Sequence, residues 1–299
     1  MSDGDERTWL QQQERGSAVG IRALVLAYRC FGRGFVALIL RVVASYYVLF
    51  APGVRRHSLA YLRRLMPDAG LREVARHVAT FAQCAFDRLL FAAGELAPLH
   101  IERHGYDNLR RQAATGRGAL LLGAHLGSFE AMRQMAVEHD VVVHALVHFA
   151  NARRITAMLR ALSPDFELRL IEIDPASPHW VLRAQDCIER GEFVAVLGDR
   201  TGLSEGTTTA TLLGGTVELP TGPYALAAAL RCPVYLTFAL YHAPNAYSLY
   251  CEPFAERIEL PRRDRAGAAA TWAQRYAERL EFYLRRAPYC WFNFFAMWR

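Results

Sequence analysis

The run GALLLGAHLGSFE, residues 118–130, carries the transition that decides the fold. Its first half, GALLLGA, is short, apolar and bounded by glycines, the pattern of a buried β-strand. Gly127 then permits a tight turn, and a helix starts near Ser128. His125 lies at or just past the strand end, where open α/β sheets place their reactive groups. Glu130 falls in the first turn of the helix. Five positions on one helix is a rotation of about 140°, which would point His125 and Glu130 apart. A turn between a strand and a helix removes that objection and can bring imidazole and carboxylate together.

Working outward, further β-rich runs appear at 140–149, 166–173, 192–198, 209–215, 233–241 and 246–254. Helical stretches lie at about 128–139, 152–162, 178–190 and 222–231, and a last helix covers about 265–286 before the aromatic tail PYCWFNFFAMW. Alternation of strand and helix predicts an α/β fold with a mixed, largely parallel sheet flanked by helices. Upstream, residues 55 to about 97 keep apolar residues at three- and four-residue spacing, as helices do. The expected division is residues 1–54, a polar N-terminus and a membrane-associated helical segment, followed by a catalytic domain over 55–299.

Composition narrows the chemistry. The chain has 299 residues and 53% hydrophobic content, ample for a buried core. All 35 basic residues are arginine. Without lysine, P-loop and Schiff-base mechanisms drop out. The six cysteines (Cys30, Cys84, Cys187, Cys232, Cys251, Cys290) are far apart, with neither a C-x-x-C pair nor a disulfide framework.

The net charge of +6 is uneven: residues 20–65 hold eight arginines and no acid. Their neighbours are Leu, Val, Ile, Phe and Ala, so an anionic membrane surface is the expected partner and nucleic acid is not. Arg22, Arg29 and Arg33 cluster within about 40° on a helical wheel, like arginines set on lipid headgroups. Phe35 to Pro52 is a nearly pure apolar run interrupted by Arg41. The cost of that arginine and the gain from its neighbours are of similar size, so spanning and interfacial burial both stand open. A helical hairpin buried inside the protein gives the same pattern.

Chemically, a neutral histidine is the usual general base toward an alcohol, and a carboxylate on its other nitrogen fixes the tautomer. Rival constellations are weaker. GLSEG (202–206) matches G-x-S-x-G, but a nucleophile elbow at Ser204 needs a helix after it, and the Thr-rich stretch that follows suits a strand. His144 and His148 sit four apart in a strand-like run without adjacent acids, a poor metal site. GRGALLLG lacks dinucleotide-binding spacing.

The run GALLLGAHLGSFE resembles the H-x(4)-D/E signature of the lysophospholipid acyltransferase superfamily. It is most similar to the branch holding the late acyltransferases of lipid A biosynthesis. ERGS (14–17), ANARR (150–154), GEFVAVLGDRTG (191–202), ELPTGPYALAAALRCPVYL (219–236) and PYCWFNFFAMW match in order, looking most like a bacterial subgroup of aryl polyene or glycolipid pathways. The resemblance implies O-acyl transfer from an acyl carrier protein or coenzyme A thioester to a lipid or glycolipid hydroxyl, without a bound cofactor or metal. It implies His125 as base, with Glu130 or Asp199 as the acid on the imidazole. Gly127, Ser128, Asn151, Arg153, Arg154, Arg200, Pro220 and Gly222 are then expected to bind substrate. The implied location is the cytoplasmic face of a bacterial inner membrane. A serine hydrolase using Ser204 and a non-catalytic membrane adaptor are the alternatives.

Overall fold

The computed structural model describes residues 18–132, 141–148, 169–174, 177–201 and 206–298. Three helices lead: α1 (Ala18–Phe50), α2 (Pro52–Leu65) and α3 (Leu71–Ala93). There follow β1 (His100–His104), α4 (Tyr106–Ala114), β2 (Leu120–Gly123), β3 (Val143–His148), β4 (Leu170–Ile173), α5 (His179–Glu189) and β5 (Phe193–Leu197). The chain continues through β6 (Thr207–Leu212), β7 (Gly215–Pro220), α6 (Gly222–Leu230), β8 (Val234–His242), β9 (Ala246–Ala255) and α7 (Arg265–Arg286).

Seven strands form one sheet in the order β1-β9-β8-β2-β5-β3-β4. From β8 to β4 every pairing is parallel; β9 runs antiparallel to β8, and β1 is parallel to β9. The fold class is therefore the mixed, largely parallel sheet expected from the alternating pattern. From β2 the chain crosses to β3, and from β5 it returns to β8 on the other side. The carboxyl ends of β2 and β5 thus flank a switch point, where open sheets of this kind keep their sites.

Three features were not anticipated. β1 and α4 lie in a stretch too polar to show a clear period. The run 209–215 falls in β6, its turn and the first residue of β7, a separate two-stranded antiparallel hairpin that does not join the sheet. The third concerns Arg33, expected on a lipid-facing stripe; it turns inward instead. Its Nε and Nη2 donate to the Asp87 carboxylate at 3.1 and 2.7 Å, and the Arg33 and Asp87 side chains are 9% and 0% exposed. Tyr247 and Gln83 donate to the same carboxylate. A buried carboxylate has to be satisfied in this way, and an arginine fork is well shaped for it.

Ala23–Phe50, with a mean hydropathy of 1.7, is long and apolar enough to cross a membrane. Five of the six cysteines are buried and Cys30 is exposed; all are free thiols.

Candidate active site

The register of β2 on β5 builds the site. Leu120 pairs with Val194 and Gly123 with Leu197, so residues two beyond each strand end, His125 and Asp199, emerge side by side. The Gly198 amide donates to the Gly123 carbonyl at 3.0 Å, carrying the pairing past the strand ends. His125 Nδ1 then meets Asp199 Oδ1 at 2.9 Å, and the His125 amide donates to Oδ2 at 3.1 Å. A third donor is Trp291, whose Nε1–H reaches Oδ2 at 2.9 Å.

Asp199 is fully buried. Burial alone would raise its pKa, but His125, Arg200 and the Trp291 bond outweigh that and hold it below the usual carboxylate range. An ionised carboxylate only accepts hydrogen bonds, so Nδ1 carries the proton and Nε2 keeps a free lone pair. The imidazole is 33% exposed. Burial of the ring and the nearby Arg200 guanidinium lower its pKa against the pull of Asp199. It is neutral at pH 7.

The loop holding His125 is fixed on two sides. The Gly127 amide donates to Cys290 O at 2.8 Å and the Ser128 amide to Ala239 O at 3.1 Å, while Phe292 donates to His125 O at 3.0 Å. Gly127 has φ +76°, and a Cβ there would lie 1.6 Å from Ala239 O, so only glycine fits. Ser128 Oγ accepts from the Ala131 amide, capping the helix that begins at residue 129. The aromatic tail is held in turn by α2 and α3: Tyr61 donates to Pro288 O, and His77 Nε2 sits 2.7 Å from Trp291 O with Ser58 Oγ on its Nδ1.

Glu130 faces elsewhere. Its carboxylate, 5% exposed, binds Arg88 Nη2 of α3 at 2.8 Å, and the acid on the imidazole is that of Asp199. The helix dipole aside, Glu130 ties the start of the helix after Gly127 to α3. Arg200 donates from Nη2 to Phe292 O at 2.6 Å and lies 5.2 Å over the Phe295 ring. Burial lowers its pKa, yet a guanidinium stays charged at any physiological pH. Pro220 ends β7 and Gly222 opens α6; between them Thr221 binds Gly206 O, and no described contact joins them to His125. Asn151, Arg153, Arg154 and Ser204 lie outside the described residues. The stretch after Ser204 is strand β6, not the helix a nucleophile elbow requires.

Sequence reading missed Arg88 and Trp291. A signal existed for the first: FDR (86–88) sets two charges inside the otherwise uncharged, mostly apolar run 78–93, and charges there must find partners. A small depression open to solvent lies beside the site among Leu126, Ser128, Phe129, Met132, Thr237 and Phe238.

His144, Cys187 and Glu192 place three ligand atoms within 4.8 Å of one another. Arg190 Nη2 already donates to both Glu192 (2.7 Å) and Cys187 (3.3 Å), so a guanidinium supplies the cation there.

A family model described as bacterial lipid A biosynthesis acyltransferase matches residues 17–299. That is nearly the whole chain, and the chain belongs to this family. No curated protein matches it.

Proposed function

From membership of that acyltransferase family, we propose that the chain moves a fatty or related polyene acyl group from an acyl carrier protein or coenzyme A thioester to a hydroxyl of a membrane lipid or glycolipid. His125 is the general base and Asp199 the acid that sets its tautomer. The observation that carries this reading is the ionised Asp199 on Nδ1, which leaves a basic Nε2 at a half-open strand end.

In the reaction, Nε2 removes the proton of the acceptor hydroxyl as its oxygen attacks the thioester carbonyl. The imidazolium that forms is stabilised by Asp199. Collapse of the tetrahedral intermediate breaks the carbon–sulfur bond, and the imidazolium returns its proton to the thiolate. Ester and free thiol are the products, without a covalent enzyme intermediate. Arg200 and Arg88 add positive charge beside the imidazole, suited to a developing oxyanion or a substrate phosphate. An aryl polyene glycolipid and a lipid A precursor are the acceptor classes to try first. Thioester donors of this kind place the reaction at the cytoplasmic face of a bacterial inner membrane.

The test is acyl transfer by the full-length protein with acyl carrier protein and coenzyme A donors, comparing His125→Ala with Ser204→Ala. Loss with His125→Ala and retention with Ser204→Ala supports the proposal. Transfer that survives His125→Ala overturns it. Loss confined to Ser204→Ala turns the reading to a serine hydrolase, and inactivity of the intact protein on every donor to an adaptor. Mass spectrometry of the lipid that disappears when the gene is removed identifies the acceptor.

A further inference from the structure

We propose that α1 lies flat in the headgroup–acyl boundary of an anionic membrane and does not cross it. This rests on the membrane setting of the proposed activity, but on a different set of residues.

The two sides of α1 differ sharply in what they meet. Val36, Leu40, Ala44 and Val48, at four-residue spacing, are all buried. Val36 and Leu40 pack with Phe86, Leu89 and Leu90 of α3, while Ala44 and Val48 join the main core that contains Tyr61 and Leu62 of α2. On the opposite side Phe35, Leu38, Val42, Tyr46 and Leu49 are 42–66% exposed. These positions fall within about 80° of arc, centred opposite the buried stripe. An apolar face of that size on a protein surface marks a contact with another apolar phase.

A spanning helix would have to enter the bilayer with what is attached to it. The attachment is continuous, from Tyr28 against Phe86 (5.7 Å between rings), through the Arg33–Asp87 ion pair, to Val48. α3, about 34 Å long, is held alongside. Crossing would carry Asp87, Arg88 and the Glu130 partnered to Arg88 toward hydrocarbon, where ionised groups are strongly disfavoured. Lying flat costs none of these contacts and covers only the outer face.

Charge fits the same seating. Arg41 is exposed about 100° around the helix from the centre of the apolar face, on the flank between that face and the buried stripe, and its long side chain can extend to headgroups from there. Arg29 is also exposed, as are Arg56, Arg63 and Arg64 of α2, with no acid between residues 20 and 65. The bend at Gly32 (φ 77°) lets the N-terminal part of α1 take its own angle to the surface. Because α3 bears both the α1 contacts and Arg88, this seating keeps the His125 site close to the membrane plane.

The test is a depth measurement on full-length protein bound to vesicles of phosphatidylglycerol and phosphatidylethanolamine. Cys30, the one exposed cysteine, is first replaced by serine. Spin labels are then placed singly at Leu38, Val42, Ser45 and Leu49. The expected result is equal, shallow depth at Leu38, Val42 and Leu49, about 5–10 Å below the headgroups, with Ser45 shallower. Depth that deepens and recovers along the chain regardless of face, through the bilayer centre near Val42, would show a spanning helix and overturn the proposal. Labels that stay out of lipid and report one another between chains would assign the face to a second copy, which also overturns it. Repeating the profile with His125→Ala separates the questions: depth unchanged while transfer is lost leaves both readings standing. Transfer that survives in a protein lying flat refutes only the catalytic one.

Discussion

Replacing Asp199 by asparagine tests the site with the least change of shape. Oδ2 receives two N–H donors, the His125 amide at 3.1 Å and Trp291 Nε1 at 2.9 Å. The asparagine carbonyl must therefore take the Oδ2 position, which puts its NH2 group where Oδ1 stood, 2.9 Å from His125 Nδ1. An NH2 group only donates, so Nδ1 must accept and the ring proton moves to Nε2. The base then has no lone pair facing the acceptor. A wrong tautomer in hydrolytic triads lowers kcat about 10⁴-fold, equivalent to about 5.5 kcal/mol of lost transition-state stabilisation. Initial rates of thioester consumption, with and without acceptor lipid, read this directly, and nitrogen-15 NMR of the histidines reads the tautomer. The thermal midpoint should stay near that of the parent, because the fold keeps both donors to the residue. Activity of the Asp199→Asn variant within tenfold of the parent would refute the reasoning, as would an Nδ1–H tautomer persisting in the variant.

Three further outcomes follow from the same contacts. His77 is buried between Ser58 and Trp291 O, and burial lowers its pKa to about 4. Its folded value lies below its unfolded one, so its stabilisation is complete above pH 6.5 and is lost as pH falls toward 4, by up to about 3 kcal/mol. Thermal midpoints in detergent should fall across that window and flatten in His77→Gln; an unchanged slope would argue against it. Arg88→Ala strands Glu130 as a buried, unpaired carboxylate and should destabilise by about 3 kcal/mol, whereas Glu130→Ala leaves a half-exposed arginine that water can solvate, at smaller cost. The double variant should recover most of the Arg88→Ala loss, and strict additivity in denaturant midpoints would show no coupling. Gly127→Ala should lose at least the 1–3 kcal/mol of a strained left-handed residue, besides displacing β8; a normal melting curve would show that the loop is not packed as described.

Much of this was legible along the chain because it is local. The glycine-bounded apolar run at 118–124, the turn at Gly127 and the helix start near Ser128 are each set by neighbours a few residues apart. The same holds for α7, whose three- and four-residue spacing marks Arg265–Arg286. β1 and α4 were missed because their polar composition hides any period: β1 is held by ladder pairing with β9, and α4 is tied to the same strand by Asn108, which donates to Cys251 O. The inward turn of Arg33 was hidden for a related reason: on a wheel it sits with Arg22 and Arg29, and only Asp87, 54 positions away, draws it into the protein.

The sequence by itself determined that a histidine would stand at a strand end with an acid in reach, in a lysine-free, arginine-rich chain bearing an apolar N-terminal helix. Which acid reaches the imidazole was decided by tertiary structure. Glu130 is five residues away, but the start of its helix turns it to Arg88. Asp199 is 74 residues away, yet parallel pairing of β2 with β5 sets it beside Nδ1. Trp291, a further 92 residues on, completes the carboxylate's bonds. Distance along the chain carries no information about such contacts, because strand register and the path of the tail exist only once the sheet has closed around them.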